Sequence, residues 1–79
     1  MTKKRFVEFY LKAMLQAATK GRVTHLACTY TMHGSIELVR VELHFTSGRA
    51  ACEFPVTNLS LLDTAVTTIS HVREAVMCL

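Results

Sequence analysis

Proline occurs once in this chain, at Pro55, and no apolar run approaches the roughly 20 residues needed to span a bilayer. The scarcity of proline, with a hydrophobic content of 51%, excludes a disordered chain, and the short apolar runs exclude a membrane-spanning helix. The three cysteines, Cys28, Cys52 and Cys78, form no CxxC pair and leave one thiol over under any disulfide scheme, which fits a reducing, cytoplasmic setting. HExxH, paired CxxC, a glycine-rich nucleotide loop and any local Ser/His/Asp or Cys/His arrangement are all missing, so no cofactor and no enzymatic activity are expected. A chain of 79 residues makes one domain, residues 1–79, near the size at which a single core barely outweighs chain entropy.

Charge is spread unevenly. Residues 1–22 carry Lys3, Lys4, Arg5, Lys12, Lys20 and Arg22 against Glu8 alone, while residues 23–79 carry Arg40, Arg49 and Arg73 against Glu37, Glu42, Glu53, Asp63 and Glu74. The net charge of +3 therefore covers a cationic first segment and a mildly acidic remainder. The opening "MTKKRFVEFYLKAMLQAA" starts like a secretory signal, but Glu8 and Lys12 interrupt its apolar stretch, and secretion is not expected.

Periodicity divides the chain into five elements. Residues 3–20 read as a helix with Arg5, Glu8, Lys12, Gln16 and Thr19 on one polar stripe; Phe6, Phe9, Tyr10, Ala13 and Ala17 flank it on one side, and Val7, Leu11, Met14, Leu15 and Ala18 on the other. Gly21 is placed to end it. The period then changes to two. Leu26, Cys28, Tyr30 and Met32 share one face of "RVTHLACTYTM"; Val39, Val41, Leu43 and Phe45 share one face of "IELVRVELHF"; Cys52, Phe54 and Val56 share one face of "AACEFPV". "MHGS" and "TSGR" supply glycine-containing hairpin turns, and Pro55 marks the third strand as an edge. Residues 60–79 form a second helix, opened by Ser60 and Asp63 as a capping box, with Leu62, Ala65, Val66, Ile69, Val72, Val76 and Leu79 inward and Asp63, Thr67, Ser70, His71 and Glu74 outward. The expected fold is α+β in the order α-β-β-β-α: a three-stranded antiparallel meander with both helices packed on one face. The first helix then has one flank for the sheet and one for the second helix, and its wide apolar arc also suits a homodimer.

Register decides what the outer sheet face presents. A Ser47-Gly48 turn pairs Phe45 with Ala50, Leu43 with Cys52 and Val41 with Phe54, and sets Glu42 opposite Glu53, a like-charge pair that is destabilising across a sheet. In the first hairpin, a four-residue loop pairs His25 with His44, and a two-residue His33-Gly34 turn pairs His25 with Glu42. Either way His25, Arg40, Glu42, His44 and Glu53 gather on the outer face. Two imidazoles and two carboxylates suit a divalent metal or an acid/base pair, but no spacing motif supports one and a flat face gives no water-excluding pocket. The face is then either a simply solvated polar surface or a partner-binding patch of His25, Glu37, Arg40, Glu42, His44 and Glu53, whose surplus negative charge would be relieved by a partner's Arg or Lys. The alternative is a nucleic-acid surface built from Lys3, Lys4, Arg5, Lys12, Lys20 and Arg22.

The α-β-β-β-α order resembles double-stranded RNA-binding domains across the whole chain. That family grips phosphates with a Lys-Lys-x-Ala-Lys signature at the start of its second helix; here "SLLDTAV" stands in its place, with Asp63 and no lysine. Base-stacking aromatics on the outer sheet face, as in RNA-recognition motifs, are missing too. In size and architecture the chain also resembles the small anti-defence proteins of phages, including anti-CRISPR proteins. That resemblance implies a non-enzymatic inhibitor that blocks a surface of a protein or nucleoprotein complex; a structural homodimer or adaptor is the further alternative.

Overall fold

Three strands and two helices account for most of residues 1–78, the part of the chain that the computed structural model describes. The first helix, α1, runs through Lys3–Arg5, Phe6–Leu11 and Lys12–Ala18; strands β1, β2 and β3 are His25–His33, Ile36–Phe45 and Gly48–Pro55; the second helix, α2, is Leu61–Met77. The sheet order is β1-β2-β3 with both pairings antiparallel, so the expected meander forms and both helices cover its apolar face. No helix among the described residues is long and apolar enough to cross a membrane.

Local chemistry starts and stops each helix. Thr2 Oγ1 accepts from Arg5 N–H at 3.1 Å and caps α1; Ser60 Oγ accepts from Asp63 N–H at 3.0 Å and caps α2. The middle of α1 is a π-helical stretch in which the Lys12 N–H reaches back to the Val7 carbonyl. Val7, Leu11 and Leu15, spaced four apart, lie on one face and are all buried. They meet Leu26, Cys28, Val39, Val41, Leu43, Phe54 and Val56 from the sheet and the β3–α2 connection.

The register differs from expectation in one hairpin. β1 and β2 pair His25 with His44, continuing to His33 with Ile36, so a two-residue Gly34-Ser35 turn closes the loop, with Gly34 at φ 63°. β2 and β3 pair Phe45 with Gly48, Leu43 with Ala50 and Val41 with Cys52 around Thr46-Ser47. The expected two-residue turn at Ser47-Gly48 lies one residue earlier, at Thr46-Ser47, and this slides β3 by two residues against β2. Gly48, at φ 152°, takes a conformation that L side chains resist, and so lets β3 start directly after Ser47. A two-residue slide preserves which face each side chain occupies and changes every partner. Glu53 consequently lies opposite Arg40, and Glu42 opposite Ala51: the like-charge pair does not form.

The second helix is turned relative to its apolar stripe. Ala65 and Val72 are buried as expected, but Leu62, Val66 and Ile69 are 73%, 59% and 38% exposed, while Thr64 and Thr68 are fully buried. At 100° per residue the buried face is rotated by roughly 80° from the centre of the apolar stripe. His71, expected outward, stacks on Phe54 with ring centroids 4.3 Å apart and planes within 3°. Leu79, the last member of the expected stripe, lies outside the described residues. Thr68 Oγ1 donates to the Thr64 carbonyl at 2.7 Å, whereas the buried Thr64 Oγ1 has no partner. Replacing Thr64 by valine keeps its shape and removes a desolvated hydroxyl, so urea unfolding should show a gain of about 1 kcal/mol. Leu11→Ala, which empties a fully buried site, should cost about 2–5 kcal/mol in the same assay.

Candidate functional site

The two faces of the sheet separate the residues that sequence reasoning grouped together. On the outer face Arg40 stands between Thr29 and Glu53, and His44 between His25 and Arg49. Glu42 is held from both sides: His44 Nε2 lies 2.8 Å from Oε1 and Arg40 Nη2 lies 3.6 Å from Oε2. The hydrogen bond from His44, then the charges of His44, Arg40 and Arg49, hold the Glu42 carboxyl below its ordinary range. His25 and His44 meet edge to face, ring centroids 5.3 Å apart. Arg40, Glu42, Arg49 and Ala51 line a shallow recess of about 310 Å³. Two guanidiniums thus balance the carboxylates of Glu42 and Glu53. This face is charge-matched within itself, and the surplus negative charge expected to attract a partner's cation is absent. No group of three or more potential ligands converges on a metal position among the described residues.

Glu37 belongs elsewhere. Its parity in β2 is that of Val39 and Val41, and it sits at the end of the sheet under the start of α1. Lys3 Nζ lies 2.9 Å from Oε2, Tyr30 Oη donates to Oε1 at 2.6 Å, and Asn58 N–H donates to Oε2 at 3.2 Å. Its own N–H donates to Thr57 Oγ1 at 3.0 Å, and Lys3 Nζ also reaches the Val56 carbonyl at 2.9 Å. One carboxylate therefore fastens the first turn of α1, β1, β2 and the β3–α2 connection. The hydrogen bonds from Tyr30 and Lys3 lower its pKa, and the same bond pushes the Tyr30 phenol up to about 12. Glu37 and Lys3 are structural partners here, which removes each from the surface set to which its charge alone assigned it.

The basic residues of α1 do not form one surface. Lys4 and Arg5 are exposed near the N-terminus, with the Arg5 guanidinium 5.7 Å from the centre of the Phe9 ring. Lys12 and Lys20 line a cleft of about 420 Å³ with Gln16, Thr19 and His25 at the other end, and Arg22 is exposed beyond it. A rise of 1.5 Å per residue puts roughly 20 Å between Arg5 and Lys20. Between them Glu8, expected on the solvated stripe, turns to the open edge of β1 and accepts from Tyr30 N–H at 3.0 Å. A carboxylate capping an unpaired strand N–H blunts that edge.

The feature that sequence reasoning missed is the outer surface of the helical layer. Phe9, Tyr10 and Met14 on α1 and Leu62, Val66, Ile69 and Met77 on α2 are all exposed. The N-terminus of α1 and the start of α2 lie at the same end of the sheet, so the helices run in the same direction, with little contact between them. Their C-terminal halves enclose an apolar groove of about 500 Å³ lined by Met14, Leu15, Ala18, Ile69, Val72 and Val76, with Arg73 at its rim. The signal was present in the excessive apolar arc of α1; the matching stripe on α2 was assigned to the core. Burial raises the Cys28 thiol to about 11 and shifts Cys52 upward, leaving both poor nucleophiles. No family model, no curated protein and no solved structure matches this chain.

The acid and alkaline limits of stability follow from the Glu37 cluster and Glu42. Their carboxyls, lowered in the fold from an ordinary value of 4.5, stabilise fully above that value and lose the contribution as pH falls through the lowered ones. Tyr30, raised from 10.0 to about 12, stabilises below pH 10 and loses its contribution as pH climbs towards 12. Thermal unfolding across pH should therefore fall off below about 4.5 and again above about 10, with Tyr30→Phe flattening the alkaline fall and Glu37→Gln reducing both.

Proposed function

We propose that this chain is a non-enzymatic protein-binding domain and that its helical layer is the docking face. The observation that carries this reading is the turn of α2: Leu62, Val66, Ile69 and Met77 face outward beside the exposed α1 residues, while an unpartnered threonine hydroxyl is buried in their place. Scattered exposed apolar side chains are ordinary, but an apolar groove shared by two helices, with Met14, Ile69 and Met77 exposed along it, marks an interaction site. The concavities on the outer sheet face and beside Lys12 and Lys20 are lined mainly by polar groups, whereas the groove between the helices is walled by side chains that favour another apolar surface over water. A domain so built works by occupying a surface. That use fits the resemblance in format to phage anti-defence inhibitors, which block a protein or nucleoprotein complex. The basic residues, spaced about two turns apart along α1 and just past it at Arg5, Lys12 and Lys20, favour nucleic acid less: a phosphate backbone is tracked by contiguous cations.

A photo-cross-linking side chain placed at Val66, and separately at Ala51 on the outer sheet face, tests this in cells making the protein. Adducts with a protein chain from position 66 and none from position 51 are expected. Adducts from position 51 alone, or adducts with nucleic acid from position 66, would overturn the assignment.

A further inference from the structure

The outward stripe of α2 is self-complementary. Along it run Leu62, Val66, Ile69, Ser70, Arg73, Glu74 and Met77, so its middle carries a cation and an anion side by side among apolar residues, with one small residue four positions from Glu74. We infer that the occupant of the helical face is a second copy of this chain, joined through an antiparallel, two-fold crossing of α2 on α2. This rests on the reading of that face as the docking surface and names its partner.

The pairing can be written from the helix geometry. A crossing that sets Val66 against Met77 of the second copy sets Ser70 against its Arg73 and Ile69 against its Glu74. Arg73 of each copy then lies about one turn, some 6 Å along the axis, from Glu74 of the other. Long side chains close that gap, and the two-fold axis makes the ion pair twice. Ser70, near the axis, is small enough to let the helices approach. Ile69 and Met77 flank the groove of their own copy and stand where they can enter that of the other, with Met14 and Val76 as its walls. A stable interface removes about 800 Å² from each partner, roughly 15% of the 5222 Å² surface of this chain, which the outer side of two helices can supply. A foreign partner would need to match an alternating Arg–Glu pair inside an apolar stripe; a second copy matches it by symmetry. The assembly would be a helical layer between two sheets, with both outer sheet faces turned to solvent.

Sedimentation equilibrium of the whole protein from about 1 to 200 µM, with circular dichroism to confirm folding, tests the arrangement. The wild type should dimerise within that range. Val66→Glu and Ile69→Glu, both at exposed positions, should stay folded and monomeric. Arg73→Glu and Glu74→Arg should each weaken the dimer about tenfold, and the two combined should return to within about threefold of wild type, because the pair re-forms with its signs exchanged. A dimer indifferent to Val66→Glu, or a charge exchange that fails to restore association, would overturn the proposed crossing. A wild type that is monomeric throughout but binds 8-anilinonaphthalene-1-sulfonate, with Val66→Glu abolishing the dye signal, would reject the second copy and leave the docking face to a different protein. A monomer that binds no dye would reject both.

Discussion

Thr64, Ala65 and Thr68 bring α2 close against β3, because none of the three extends beyond a γ atom, and the side chains that cannot fit between helix and sheet are thereby sent outward. Phe54 fills the space that remains and His71 lies flat on it. The cost is a threonine hydroxyl desolvated without a partner and a row of leucine, valine, isoleucine and methionine side chains facing water. Turning α2 the other way would cover that row but would force its branched side chains into the thin layer over β3. The helical face therefore follows from close packing at one helix–strand contact.

At the far end of the sheet, the Glu37 carboxylate does for the polar contacts what Phe54 does for the apolar ones. It accepts from Lys3, Tyr30 and Asn58, and so joins the first turn of α1 to two strands and to the connection that leads into α2. Because α1 and α2 are tethered at this common end, they run in the same direction, and the groove between them lies towards their C-termini. The clasp also withdraws one anion and one cation from the surface. What is left on the outer sheet face is Arg40 and Arg49 against Glu42 and Glu53, a balanced set with its own internal hydrogen bond from His44.

The order of elements, the cap at Ser60, the edge position of β3 and the face on which each strand residue lies were legible in the sequence, because each depends on local geometry. A strand alternates every residue, so apolar positions name the buried face whatever the neighbouring strand does. The partners across the sheet were not legible: sliding β3 by two residues keeps every apolar side chain inward, and only the placement of the two-residue turn at Thr46-Ser47, which Gly48 permits, separates Arg40 opposite Glu53 from Glu42 opposite Glu53. Charge alone likewise placed Glu37 with Glu42, although the parity of β2 already put them on opposite faces.

The helices show the same division. Amphipathic spacing fixed where α1 and α2 begin and that each has an apolar side, but an apolar arc wider than one contact leaves the helix free to turn about its axis. The stripe on α2 includes small residues at one margin and bulky ones at the other, and hydropathy ranks the bulky ones as core. Tertiary packing chose the small ones, because the distance between helix and sheet is set by volume and shape, which a periodicity of apolar residues does not encode. The sequence by itself determined the elements and their faces; the rotation of α2, the register of β3, and with them the surfaces this protein presents, were decided only by how those elements fit together.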